Sequence, residues 1–195
     1  MYKESIHLIY AWLIPAIWFV WWSFWLFSSR NVRSTSEREP PMSRRIHLAL
    51  VGAAFALIAL PVFRRGLFGW YWLPSTPYAF FVGVAILVAG FVFAVWARSY
   101  LGSNWSGMIT VKEEHELVRN GPYSLARHPI YTGFIMGMAG SAIALGELRG
   151  ILAVLLFIAA YLRKIRIEEK WLIAHFGQAY EDYRKDVRAL IPFIL

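Results

Sequence analysis

Five stretches of this chain carry no Lys, Arg, Asp or Glu: residues 6–27, 46–63, 78–97, 131–146 and 150–162. A helix needs about 20 apolar residues to cross a bilayer, because a rise of about 1.5 Å per residue must span about 30 Å of hydrocarbon. The first three runs, of 22, 18 and 20 residues, are long enough to cross alone. The last two, of 16 and 13 residues, are short, and only Glu147, Leu148 and Arg149 separate them. They read as a tight helical hairpin whose second arm completes its crossing by running on into the charged residues after Leu162. The predicted fold is an all-α integral membrane protein of about five transmembrane helices, ending in a cytosolic helical region. With 58% hydrophobic residues and a mean hydropathy of +0.48, a soluble domain of this length is excluded.

The net charge of +8 invites a nucleic-acid reading that its distribution rejects. With five crossings, loops 28–45 and 98–130 and the tail 163–195 lie on one side and hold 16 of the 20 Lys and Arg residues. Only Lys3, Arg64, Arg65 and Arg149 remain for the other side. Basic residues concentrate in cytoplasmic loops, so a multi-pass protein with its N-terminus outside and its C-terminus in the cytosol is predicted. Topology and attraction to anionic membrane lipids explain the excess charge, and no nucleic-acid partner is expected. The absence of cysteine excludes disulfides, thiolate metal sites and a cysteine nucleophile; no metal site is predicted. The first run is too long for a signal-peptide core and no small-residue cleavage site follows it, so a retained anchor is expected.

Two regions follow from this layout: 1–97, three helices with their loops, and 98–195, which carries the polar chemistry. Trp12, Trp18, Trp21, Trp22 and Trp25 suit packing and interfacial anchoring of the first helix. Loop 28–45 reads as a linker, and the aromatic, proline-rich loop after Pro61 as a segment lying at the outer interface. Gly83 and Gly90 permit close contact on the third helix. Gly133, Gly137 and Ser141 recur every fourth residue on the fourth, a pattern that brings two backbones together, and the fifth helix is the expected partner.

The polar residues concentrate in 115–133, HELVRNGPYSLARHPIYTG, and in the tail from Arg163. The first segment joins a turn at Asn120, Gly121 and Pro122 to His128, Pro129 and two tyrosines, Tyr123 and Tyr131. Imidazole, phenol and turn amides can grip a polar cofactor at a membrane's edge, or simply cap a helix. In the tail, Lys164 and Glu168 share a helical face, and Arg163 and Lys164 directly follow apolar Leu162, where ionisable groups are functional candidates. Gly177 should end this helix, and a short amphipathic segment with Tyr180 and Tyr183 should follow, stopped by Pro192.

The order GPYSLARHPIYTG, a short hydrophobic hairpin, then EEKWLIAHFGQAYEDYRKDVRALIP resembles the isoprenylcysteine carboxyl methyltransferase family over residues 98–195. That family lies within a wider superfamily containing phospholipid N-methyltransferases. The resemblance implies an integral membrane enzyme that transfers a methyl group from S-adenosylmethionine to a lipid-like or prenylated acceptor. By position, His115, Glu116, Leu117 and Val118 correspond to the family's backbone-contacting cofactor segment. Tyr123 matches the tyrosine after its Gly-Pro, His128, Pro129, Ile130 and Tyr131 its His-Pro-x-Tyr cofactor stretch, and Glu168 and Glu169 its paired glutamates. Glu168 is a catalytic candidate, and Arg163, Lys164 and Arg166 compete for the basic residue that orients substrate. No Gly-rich turn of the nucleotide-binding kind follows a strand, so a cofactor would bind among loop 98–130, the head of the fourth helix and the tail. Three other readings stay open: methylation of a phospholipid amine, an NADPH-dependent enzyme resembling the membrane sterol reductases, and a non-catalytic scaffold.

Overall fold

A computed structural model describes residues 2–28, 35–38, 40–102, 110–112 and 117–190. Six α-helices appear among them: α1 (Tyr2–Ser28), α2 (Pro41–Ala59), α3 (Pro77–Leu101), α4 (Pro129–Leu145), α5 (Leu148–Phe176) and α6 (Gln178–Asp186). Two short strands, β1 (Thr35–Arg38) and β2 (Thr110–Lys112), pair antiparallel with Thr35 opposite Lys112. Loop 28–45, expected to be only a linker, thus ties itself to loop 98–130.

Local chemistry sets the helix ends. Pro41, Pro77 and Pro129 each open a helix, where the missing amide hydrogen costs nothing and the fixed φ already suits the first turn. Leu60 is extended before Pro61, which ends α2. Gly146 and Gly177 adopt positive φ, 67° and 55°, and close α4 and α5. The fifth helix, 29 residues long, runs unbroken past Leu162 to Phe176, as expected from the sequence. Pro192, the expected stop for α6, lies outside the described residues, and the helix already ends at Asp186.

Among the described residues, α2 and α3 are long and apolar enough to cross a membrane, and the apolar stretches Trp12–Ser28 and Pro129–Leu145 are shorter. Much of α2 faces outward: it fully buries only Val51 and Ala54, while Leu50, Phe55, Leu57 and Ile58 are half-buried against the core. Phe19, Val20, Leu48, Phe81 and Val92 are likewise exposed. Water would not tolerate apolar surface on that scale, so the fold is membrane-associated.

The glycine stripe of α4 corrects one expectation, because its partner is α3. A Cβ at Gly83 would sit 2.5 Å from the carbonyl oxygen of Gly140, and one at Gly90 would sit 2.6 Å from that of Gly133. The four glycines therefore let two backbones touch, and Gly137 admits the rings and methyls of Phe91 and Leu87. Ser141 instead accepts the indole hydrogen of Trp18 at 3.0 Å. Trp21 stacks on Phe91 at 4.0 Å and meets Phe134 edge-on, so part of the tryptophan load is core, while Trp12 stays exposed.

At the opposite end from the polar tail, Arg149, one of the four basic residues assigned to the other side, is wholly buried. Its Nε pairs with Glu147, and its Nη1 donates to the carbonyls of Leu57 at 3.0 Å and Ile58 at 2.7 Å. It thereby caps the C-terminus of α2, whose last carbonyls lack helical partners. The loop after α2 docks beside it, with Trp72 donating its amide to Gly146 at 2.9 Å.

Candidate functional site

The head of α4 is held by the returning tail. The amide of Arg127 donates to Arg188 at 2.8 Å, that of His128 to Ala189 at 2.9 Å, and the Thr132 hydroxyl to the Leu190 carbonyl at 2.7 Å. The Tyr183 hydroxyl on α6 donates to the carbonyl of Tyr123. Residues 188–190 so form a strap across the segment that carries the histidine.

Beneath the strap, the consecutive glutamates of α5 do different things, because a helix turns about 100° per residue. Glu169 points inward: Oε1 accepts from Arg127 Nε at 2.9 Å and from its Nη2 at 2.7 Å, and His128 Nε2 lies 3.3 Å away. Arg184 adds a weaker contact at 3.4 Å. Burial alone would raise the Glu169 carboxyl, but its bonds and charge interactions with His128 and Arg127 outweigh this and hold it at about 2. An ionised Glu169 accepts only, so His128 presents an Nε2–H to it. Its Nδ1 then faces Glu168 at 3.8 Å.

Glu168 is the open member of the pair, its side chain 29% exposed. It accepts the Tyr131 hydroxyl at 2.8 Å. The Tyr131 ring lies parallel to His128 with centroids 5.5 Å apart, and Tyr161 backs it at 4.9 Å. Over the same ring, 5.4 Å from its centroid, sits the ammonium of the buried Lys164. A carboxylate, an aromatic face and a cation thus share one surface of α4 and α5.

Of the three competing basic residues, Lys164 is the one on this surface. Arg163 turns to α2, donating to the Ser43 carbonyl at 3.1 Å and its hydroxyl at 2.8 Å, and Arg166 is exposed. Tyr123 is buried, which together with nearby Glu168 raises its phenol, and it serves through its carbonyl. Pro129 and Ile130 are buried in the head of α4. Leu117 and Val118 are half-buried, Val118 against the apolar core, and His115 and Glu116 lie outside the described residues. Arg127 and Arg184 were not foreseen. Arg127 adjoins His128 in the RHP triplet, and that adjacency to a candidate residue was the available signal.

The family model for phospholipid methyltransferases matches residues 78–179, which include α3 from its second residue and all of α4 and α5. A probable protein-S-isoprenylcysteine O-methyltransferase of Oryza sativa subsp. indica is 30% identical over 127 residues, covering 64% of each chain. Protein-S-isoprenylcysteine O-methyltransferase B of Arabidopsis thaliana is 26% identical over 156 residues, covering 78% of this chain and 76% of its own. The solved structure of a eukaryotic intramembrane Ras methyltransferase, isoprenylcysteine carboxyl methyltransferase, superposes with a TM-score of 0.57 at 25% identity. That superposition covers 82% of this chain and 55% of the other. The match thus spans a little under two thirds of the rice relative and about half of the solved enzyme.

Proposed function

We propose that this chain, which belongs to the phospholipid methyltransferase family, is a multi-pass membrane enzyme that carries the methyl group of S-adenosylmethionine to a lipid-like acceptor, foremost the carboxylate of an isoprenylcysteine-type molecule. The observation that carries this reading is the meeting of Lys164, Tyr131 and Glu168 on one surface. A cation there can hold an anionic acceptor beside the carboxylate and aromatic face that suit a sulfonium. The names of the relatives in rice and Arabidopsis support the carboxyl acceptor.

Five crossings accompany it, α1 to α5, with α4 and α5 a short hairpin and α5 emerging within its charged stretch, so that Glu168 and Glu169 lie on the cytosolic side. In support, Arg98, Arg127 and Lys164 gather at the end of the bundle where α3 stops and α4 starts. Arg149, in contact with Ile58, lies at the other. By the bias of basic residues towards the cytoplasm, the N-terminus is then outside.

When bound, S-adenosylmethionine supplies a methyl group already activated on a cationic sulfonium. Glu168, Tyr131, Tyr180 and the backbone of Leu117 and Val118 are the residues that would hold it. The donor set fits: Glu168 is open, and the Tyr180 hydroxyl, 1% exposed as a residue, has no hydrogen-bond partner among the described residues. Lys164 receives the acceptor carboxylate, which is ionised at neutral pH and needs no base, so positioning is most of what the protein contributes. Being a point charge, Lys164 fixes distance and leaves orientation to the acceptor's apolar tail. By donating to Glu168, Tyr131 keeps that carboxylate turned towards the cation's place. Behind it, Arg127 and His128 anchor Glu169 and so set the rotation of α5.

The family's description favours a second reading, a phospholipid amine as acceptor. An amine must first lose a proton, and Glu168 is then the base. Transfer of labelled methyl into a prenylcysteine analogue and into phosphatidylethanolamine decides between them, with Lys164→Met and Glu168→Gln beside the parent. Loss of prenylcysteine transfer in both variants is expected; unchanged rates in both overturn the site. Calorimetry with S-adenosylhomocysteine and with NADPH separates a methyltransferase from a reductase, and heat from neither leaves a scaffold.

A further inference from the structure

Beside Arg127, and without Lys164 or Glu168 in its lining, a cleft of about 570 Å³ opens between α5 and the tail. Arg127, Arg184, Lys185 and Arg188 line it, with Leu162 on one wall and Glu181 the single acid. Glu169 accepts mainly from Arg127 and His128 and reaches Arg184 only at 3.4 Å. Lys185 pairs with Asp182 at the surface, and Arg188 makes no ion pair among the described residues. Asp182, Glu181 and Asp186 all act on Lys185, so the cation left for an outside anion is foremost Arg188, with Arg184 only weakly engaged.

Its position says what kind of anion fits. Leu162 is the last apolar residue of α5 before Arg163, so one wall belongs to the hydrocarbon boundary while the others are cationic. Apolar chains below and phosphate at the level of the arginines match that division, since anionic headgroups attract basic residues at the membrane surface and guanidinium forks bind phosphate oxygens in pairs. We infer that this cleft is a binding site for the phosphate headgroup of an anionic membrane phospholipid, distinct from the surface that carries Lys164 and Glu168. Because Arg127 and Arg184 also hold Glu169, a phosphate here would lie beside the cations that fix that glutamate. The inference rests on the proposed placement of α5 in the bilayer, and does not depend on methyl transfer.

The test is retention of lipid by the full chain in detergent. Parent protein and the double variant Lys185→Gln/Arg188→Gln are titrated with dioleoyl phosphatidylglycerol, dioleoyl phosphatidylcholine and inorganic phosphate, and bound lipid is counted by native mass spectrometry alongside the thermal midpoint. The parent should bind phosphatidylglycerol in preference to phosphatidylcholine. The double variant, its midpoint without lipid unchanged, should bind phosphatidylglycerol roughly 30-fold more weakly for the loss of two cations. Equal binding by parent and variant, equal binding of the two lipids, or an equal response to inorganic phosphate would each overturn the assignment. Methyl transfer is not read, so a failure here is separate from a failure of the proposed chemistry.

Discussion

Tyr131 on α4 donates its hydroxyl to Glu168 on α5 at 2.8 Å, joining two residues that lie 37 positions apart. The bond aims the carboxylate, and the carboxylate is what a cationic ligand would feel. Glu168→Gln should therefore weaken S-adenosylmethionine about 10- to 100-fold while weakening the uncharged thioether S-adenosylhomocysteine much less. Tyr131→Phe should cost about 10-fold in S-adenosylmethionine affinity by releasing the carboxylate. Calorimetry with both ligands measures this, and an equal loss for the two would argue against a charge role for Glu168.

Lys164 and Arg163 are neighbours with opposite fates. Lys164→Met should raise KM for a prenylcysteine acceptor by about 10-fold or more, with Lys164→Arg recovering part of it. Arg163→Met should leave KM alone and lower the thermal midpoint by undoing the bonds to Ser43. The reverse pattern in steady-state kinetics would transfer the orienting role to Arg163.

The depressed carboxyl of Glu169 makes a pH prediction. Its folded value, about 2, lies below the ordinary 4.5, so the folded state holds the ionised form more tightly. The associated stability, on the order of 3 kcal/mol, is fully present above about pH 4.5 and is lost as pH falls towards about 2. In Glu169→Gln, which leaves Arg127 buried beside a neutral group, the midpoint at pH 7 should drop and most of this acid sensitivity should vanish. Thermal scans from pH 7 to pH 3 read both effects.

The α3–α4 contact admits no added carbon. Gly133→Ala would drive a methyl into the backbone of Gly90 and should cost about 1–3 kcal/mol. Gly52 on α2, where a Cβ meets nothing within 4 Å, should accept alanine with no loss and up to about 1 kcal/mol of gain. A thermal shift of the same size at both positions would contradict the packing described.

Arg149 and Glu147 form a buried pair, so removing one partner should hurt more than removing both. Arg149→Met alone should cost about 3–5 kcal/mol by stranding the carboxylate and uncapping α2. Adding Glu147→Gln should recover part of that loss, which the refoldable fraction or thermal midpoint would report.

Much of this was visible in the residues. Absence of charge marked the helices, Gly177 marked the end of α5, and the apolar-to-basic step at Leu162 marked where the polar residues of α5 begin. The partner of α4 was harder, because a small-residue stripe says that a backbone comes close without saying which. The missing signal was a matched spacing: Gly83 and Gly90 stand seven apart, as do Gly133 and Gly140, and they meet in reverse order. Nor can adjacent basic residues be told apart along a sequence. Lys164 faces α4 and Arg163 faces α2 only once three helices have packed. Arg127 escaped notice for the same reason, since its partner lies 42 positions away.

The strap at residues 188–190 bears on biosynthesis. A ribosome delivers the apolar helices first, and the amides of Arg127 and His128 find their carbonyl partners only after all six helices have been made. The nascent protein is thus anchored before its polar surface is assembled. Any chain arrested before Ala189 would be inserted yet lack the clamp on its histidine.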